Sequence, residues 1–363
     1  MKQTRRGRGL LVGLALTLFS ICGTLLIIEA GFRIYQRFAF GTPLRASLSQ
    51  ESLGKLSPFI LDAELGWKST PNYKWKGMYP NLDGTKYPAE LHFDARGFRA
   101  FGDVNSTHPK IFVLGDSVTQ AVQVADNKTY HAVMANELNA ENFAYGVAGY
   151  GSLQEYMILD RFYDEIKPDL IVWQFCSNDL VNNDPINETN STKSNNGMTR
   201  PYLVNGQVQY ILPKRMAFVR EVALKYSRAL YWVLSRIDQA QANSDAPDVQ
   251  ARMIANGTSD PDLQRVTRVT NEIMQKVRAR IGNTPVVTFT CAHHELFDET
   301  FRVVSEENGM DFVAEAAIAL ERAEQQGTMV RVIDGGHYNE AGNRILGETL
   351  AKFILEKNLL VKP

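Results

Sequence analysis

The chain has 363 residues, 44% of them hydrophobic, and a formal net charge of -1. That is enough apolar material for one sizeable folded domain with additions, and it leaves no basic footprint for a nucleic-acid partner. Three cysteines, Cys22, Cys176 and Cys291, are too few for a disulfide framework; Cys176 and Cys291 are read as buried thiols behind core strands, with a bridge in an oxidising space as the alternative.

Gly9 to Ile28 carries no charge and is preceded by Lys2, Arg5, Arg6 and Arg8. A run of this length spans a bilayer as a helix, and the basic flank argues for a cytoplasmic amino terminus. A cleaved signal peptide competes with that reading, but Ile28-Glu29-Ala30 is a poor cleavage site, so an uncleaved anchor over residues 1–41 is expected. Within it, residues 29–41 mix Phe32, Tyr35 and Phe38 with Arg33 and Arg37, which suits a membrane interface. Residues 42–108 are rich in turn formers and make a lead-in segment that packs on the larger domain beyond it. Arg96 and Arg99 in this segment are read as structural or solvated rather than as substrate ligands.

From residue 110 short apolar runs alternate with helical patterns. Strands are expected at 110–115, 141–145, 169–175, 284–290 and 329–333, and helices at 124–139, 152–166, 262–281, 295–308 and 339–357, with a further helical stretch in 311–326. The alternation predicts an α/β domain over 109–363 whose parallel sheet is covered on both faces and carries its site at the carboxyl strand ends. Residues 181–261 interrupt it as an insertion. There Phe218, Val222, Tyr226, Leu230, Val233 and Ile237 recur at helical spacing. Packing against the core is the expectation for that stripe; a lid, or a surface toward membrane or partner, is the alternative.

Four polar punctuations come after these strands. Ile111-Phe112-Val113-Leu114 runs into Gly115-Asp116-Ser117, which delivers a serine to a helix start. Gly149 lies in the turn Gly146-Val147-Ala148-Gly149-Tyr150-Gly151 and offers a backbone N–H; Asn178 follows the third strand and offers a side-chain amide. Asp334 and His337, three apart, can enter one cleft from a single loop. A serine hydroxyl needs a base to take its proton, and the imidazole needs a partner to hold its tautomer. Convergent uncharged donors complete such chemistry by holding a developing oxyanion. His293 and His294 are adjacent, so their side chains diverge, and no ligand cluster accompanies them. No metal and no cofactor are expected.

In this order, Gly115-Asp116-Ser117, Gly149, Asn178-Asp179 and Asp334 with His337 resemble the four blocks of the SGNH or GDSL hydrolase family, and the whole resembles a membrane-anchored bacterial member. The resemblance implies an SGNH-type three-layer α/β/α domain with a central parallel sheet, preceded by a transmembrane helix. It implies Ser117 as nucleophile, His337 as base, Asp334 as its orienting partner, and Ser117, Gly149 and Asn178 as the oxyanion hole. Cys176 stands where the family usually has glycine, which crowds that strand end. The implied activity is a serine esterase working through an acyl-enzyme on a cell-envelope glycan or lipid, outside the cytoplasm. An O-acyltransferase would use the same residues, and a non-catalytic glycan-binding or assembly protein would keep the fold without turnover.

Overall fold

The computed structural model describes residues 3–40, 44, 58–243 and 248–360; residues 1, 2 and 41 of the expected anchor and 42, 43 and 45–57 of the lead-in lie outside them. Helix α1 (Gln3–Phe40) holds the uncharged run. Val12–Ala39 within it is long and apolar enough to cross a membrane, and its most apolar stretch is not buried against the rest of the chain. The lead-in forms two antiparallel pairs, β1 (Phe59–Asp62) with β2 (Gly66–Ser69) and β3 (Lys74–Pro80) with β4 (Lys86–His92), and then β5 (Ala100–Phe101).

The alternating region begins with β6 (Lys110–Gly115), α2 (Ser117–Gln120), α3 (Tyr130–Glu137), β7 (Glu141–Gly146), α4 (Ser152–Ile166) and β8 (Leu170–Phe175). Next come α5 (Asp179–Asn182), α6 (Pro185–Asn190), the hairpin β9 (Arg200–Val204) and β10 (Gln207–Ile211), and helices α7 (Ala217–Tyr226), α8 (Arg228–Ala242) and α9 (Val249–Asn256). The alternation resumes with α10 (Pro261–Ile281), β11 (Val286–Thr290), α11 (Glu295–Glu307), β12 (Asp311–Phe312), α12 (Ala314–Gln325) and α13 (Glu340–Glu356).

Six strands make the central sheet in the order β12-β11-β8-β6-β7-β5, parallel except for β5, which pairs antiparallel with β7. Period-two alternation sorts its residues. Phe112 and Leu114 of β6 join Ile171, Trp173 and Phe175 of β8 under α4, α10 and α11, whereas Ile111 and Val113 join Leu170, Val172 and Phe289 under α3, α12 and α13. Both faces of the central strands are therefore largely apolar, which is why these strands read as mostly hydrophobic runs and why the sheet carries helices on both sides.

Three expectations are corrected. Residues 329–333 form no sheet strand: the edge beside β11 is taken by β12, and the backbone of 331–333 turns instead to the lead-in through an Asn81–Val332 bridge, Leu82 N–H to the Arg331 carbonyl and Ile333 N–H to the Pro80 carbonyl. The helix expected over 124–139 starts only at Tyr130, because Thr129 has extended backbone and caps it, its Oγ1 accepting from Ala132 N–H. Cys176 and Cys291 form a disulfide rather than two thiols. The parallel register sets Thr290 opposite Phe175, so the next residue of each strand meets its neighbour across the sheet, with a Cα separation of 5.1 Å.

The bridge closes a loop of 115 residues, a length for which the chain-entropy account predicts about 4 to 5 kcal/mol of stabilisation. Cys291→Ser, or reduction of the wild type, should lower the thermal unfolding midpoint by an amount equivalent to about 2 to 5 kcal/mol, read by circular dichroism with and without reductant.

Candidate active site

The turn that carries Ser117 is built by side chains beneath it. Asp116 caps α2, its Oδ1 accepting from Val118 N–H. The Gln174 amide oxygen, fully buried on β8, accepts from Asp116 N–H at 3.1 Å, Thr119 N–H at 3.2 Å and Thr119 Oγ1 at 2.9 Å. Thr119 Oγ1 also meets the Tyr130 hydroxyl at 2.7 Å. Gly146, paired with Gly115 across β6 and β7, lets the β7 backbone slide under the turn. A Cβ there would stand 2.3 Å from Gln120 N and 2.7 Å from the Asp116 carbonyl oxygen.

Across the cleft, Asp334 Oδ1 accepts from Gly336 N–H at 2.9 Å and His337 N–H at 3.0 Å, folding the loop back on itself. Asp334 Oδ2 lies 2.8 Å from His337 Nδ1, and His337 Nε2 lies 2.8 Å from Ser117 Oγ. The loop is clamped at both ends. Asn339 caps α13 and also donates to Asn81 Oδ1 of the lead-in, and the Tyr338 hydroxyl donates to the Cys291 carbonyl beside the disulfide.

These contacts set the charge of each group. Burial alone would push the Asp334 carboxyl up, but the His337 hydrogen bond and charge, with the two N–H donors, hold it down at about 2. Burial alone would pull His337 down; the Asp334 bond and charge, with Asp116 behind, carry it above its ordinary value. Beneath the turn, burial first and the neighbouring carboxylates second push Glu155 and Asp179 well above the usual carboxylate range.

The donors expected for the oxyanion are also at this edge. Asn178 Nδ2 donates to Asp116 Oδ2 and to Asn182 Oδ1, each at 3.1 Å, so both of its protons have partners here. Gly149 adopts φ 74°, a left-handed conformation that favours glycine. Against its Cα stands the side-chain amide of Asn196, 1.9 Å from where a Cβ would be. Asn182 in turn donates to the Ser194 carbonyl at 3.0 Å. The insertion loop thus lies over the site, and Asn182, Gln174 and Asn196 are site neighbours that strand-end motifs did not single out. Only the position of Gln174 inside an otherwise apolar strand carried a signal, since a polar residue there must find buried partners.

Arg99 is buried and donates to Asp126 and to the carbonyls of Val124, Ala121 and Glu90, and Arg96 pairs with Glu165 over the Phe101 ring; both are structural. His293 Nδ1 meets Asp298 Oδ2 at 2.5 Å at the start of α11.

A mostly parallel sheet, covered by helices on both faces, carries a serine, a histidine and an aspartate in hydrogen-bonded series at one edge. The chain belongs to the GDSL-like lipase/acylhydrolase family, whose model matches residues 113–345, and is by that membership an ester-cleaving hydrolase. Among solved structures it is similar to TesA, with 15% identity over 69% of this chain and 99% of that one at a TM-score of 0.39. It is also similar to a lipase/acylhydrolase from Enterococcus faecalis, with 12% identity, 69% and 96% coverage and a TM-score of 0.37. An acetyl xylan esterase from the rumen bacterium Butyrivibrio proteoclasticus gives 12% identity, 69% and 64% coverage and a TM-score of 0.37. No curated protein matches the chain in sequence.

Two outcomes test this geometry. Gly146→Ala should cost about 3 kcal/mol, the upper end of ordinary overpacking, because backbone rather than a mobile side chain blocks the added carbon, and thermal unfolding measures it. The His337 imidazole should titrate above 6.5 in an NMR pH series, and Asp334→Asn should lower that value by removing the charge that favours the imidazolium. The linked stability has a definite sign. A histidine raised on folding stabilises the fold below its unfolded value, and the contribution is lost as pH rises through the folded one.

Proposed function

We propose that this chain is a serine esterase that removes acyl groups from oxygen esters of a cell-envelope glycan or lipid, held to the membrane by α1 with its catalytic domain outside the cytoplasm. The observation that carries the reading is the unbroken series Ser117 Oγ, His337, Asp334, joined by two contacts of 2.8 Å. Ser117 Oγ attacks the ester carbonyl carbon while His337 Nε2 takes the hydroxyl proton, and Asp334 stabilises the imidazolium. Collapse expels the alcohol, which receives that proton from His337. Water, deprotonated by His337 in the same way, then releases the acid and restores Ser117.

The N–H groups of Ser117 and Gly149 and the Asn178 amide are assigned to the oxyanion; Asn178 serves by turning one proton from Asp116 or Asn182 toward the substrate. Residues 1–41 form the anchor, 42–108 the lead-in, and 109–363 the hydrolase domain with its insertion at 181–261. The disulfide and the basic residues that precede the uncharged run of α1 support the extracytoplasmic placement, since structural disulfides persist in oxidising spaces and positive flanks stay inside.

The test uses the full chain in detergent. Wild type should take a fluorophosphonate label, Ser117→Ala should not, and Ser117→Ala, His337→Ala and the double variant should all be near background, since residues acting as one unit are not additive. Asn178→Ala should lower kcat by about 10²–10³ with little change in KM. Labelling or esterase activity that persists in folded Ser117→Ala ends the assignment. Adding a carbohydrate acceptor separates release of free acid from acyl transfer.

A further inference from the structure

The stripe on the insertion does not pack against the core. Phe218 is 78% exposed and Tyr226 is 70% exposed, with Val222 between them. These positions recur every four residues on one side of α7, while Trp232, Val233 and Ile237 are exposed on α8. An apolar face of this extent, left open on two successive helices, marks an interaction surface.

Its occupant is indicated by what the pair α7 and α8 is docked on. The Glu29 carboxylate of α1 accepts from Ser227 Oγ at 2.9 Å, Arg228 N–H at 3.1 Å and Ala229 N–H at 3.0 Å, so a residue of the anchor helix caps α8. Arg33 donates to the Tyr226 carbonyl at 3.1 Å, Phe32 meets Trp232 with ring centroids 5.9 Å apart, and Arg228 reaches Gln36. Glu29 directly succeeds the uncharged run that ends at Ile28. From Glu29 to Gln36 the helix rises about 10 Å, comparable to the thickness of a headgroup layer. The α7–α8 junction is thus fixed at the depth where a membrane-spanning α1 would leave hydrocarbon.

Composition agrees with that depth. Residues 214–238 hold six basic side chains against Glu221 and Asp238; Lys214 and Arg220 pair with Asp238 and Arg228 is buried, which leaves Arg215, Lys225 and Arg236 exposed. Such an excess suits anionic headgroups, and it opposes a second copy of the same face. The aromatic rings at 218, 226 and 232 are the residue types that settle at the interface.

We propose that α7 and α8 lie in the headgroup layer of an anionic phospholipid bilayer, beside the exit of α1, and hold the active site against the lipid surface. The pair reaches the site through Arg220 and Tyr231, which share a small cavity with Asn196, the residue standing on Gly149. An acyl ester carried at the bilayer surface is then the substrate class nearest the serine. This rests on the reading of α1 as a membrane anchor.

The test takes the full chain in a Cys22→Ser background, reconstituted into vesicles of phosphatidylethanolamine and phosphatidylglycerol. An environment-sensitive dye is placed at Phe218→Cys or, as the control, at Lys352→Cys on α13. Spin-labelled lipid should quench the dye at 218 severalfold more than at 352, and aqueous iodide should do the reverse. Phe218→Asp should lower hydrolysis of a vesicle-embedded ester about ten-fold, the scale of one lost buried aromatic, and leave hydrolysis of a water-soluble ester unchanged. If the chain resists carbonate extraction while position 218 behaves like 352, the platform is wrong and the anchor stands. If carbonate releases the intact chain, the anchor reading fails and takes the platform with it.

Discussion

A single buried amide holds the Ser117 turn in place. Gln174 projects from the middle of the sheet under the turn between β6 and α2, and its oxygen collects two backbone N–H groups and the Thr119 hydroxyl. Without that acceptor, buried donors of the tight turn would lose their partner, at a cost near the desolvation penalty of each. The serine therefore depends on a residue one strand away rather than on its own loop. The glycine at 146 is the complementary constraint, since it removes the bulk that would lift the turn off the sheet.

The same logic extends outward. The loop carrying Asp334 and His337 has no sheet strand before it, so its position is set by what grips it from the sides. The lead-in grips one side through Pro80, Leu82 and Asn81, and the Cys291 end of β11 grips the other through Tyr338. Trp67 Nε1 of the lead-in donates to the Ala148 carbonyl, and the Tyr150 hydroxyl donates to the Trp67 carbonyl, so the turn that bears Gly149 is held likewise. Segments outside the alternating pattern thus position two of the four blocks.

The central strands and long helices were legible because burial on both faces leaves continuous apolar runs, and because 3.6-residue spacing survives in α4, α10 and α13. Ser117, Gly149 and Asn178 were legible as one place because the ends of neighbouring parallel strands converge, whereas Asp334 and His337 were legible only by their spacing of three, since no sheet strand delivers them. The apparent strand at 329–333 was misread since Val330 and Val332 are buried by α13 and the lead-in, and a buried extended segment has a strand's composition without a sheet neighbour. The disulfide depended on register between strands far apart in sequence, which no local pattern encodes. Asn205-Gly206, both with positive φ, did encode the β9–β10 hairpin locally. The helical stripe over 216–238 was legible as a stripe but not as two helices, and its surroundings could not be read from its own residues.

The cap on α8 also has a consequence in time. Glu29 leaves the ribosome about 200 residues before the backbone groups it binds, the separation between Glu29 and Ala229. Ser227 caps Leu230 N–H locally, but the Arg228 and Ala229 N–H groups meet a partner that distant, and that contact costs a long loop closure before it forms. Synthesis order places α1 first, so α8 acquires its final start only after the growing chain has folded back to residue 29. The docking of α8 on α1 therefore joins two segments that the chain makes far apart in time.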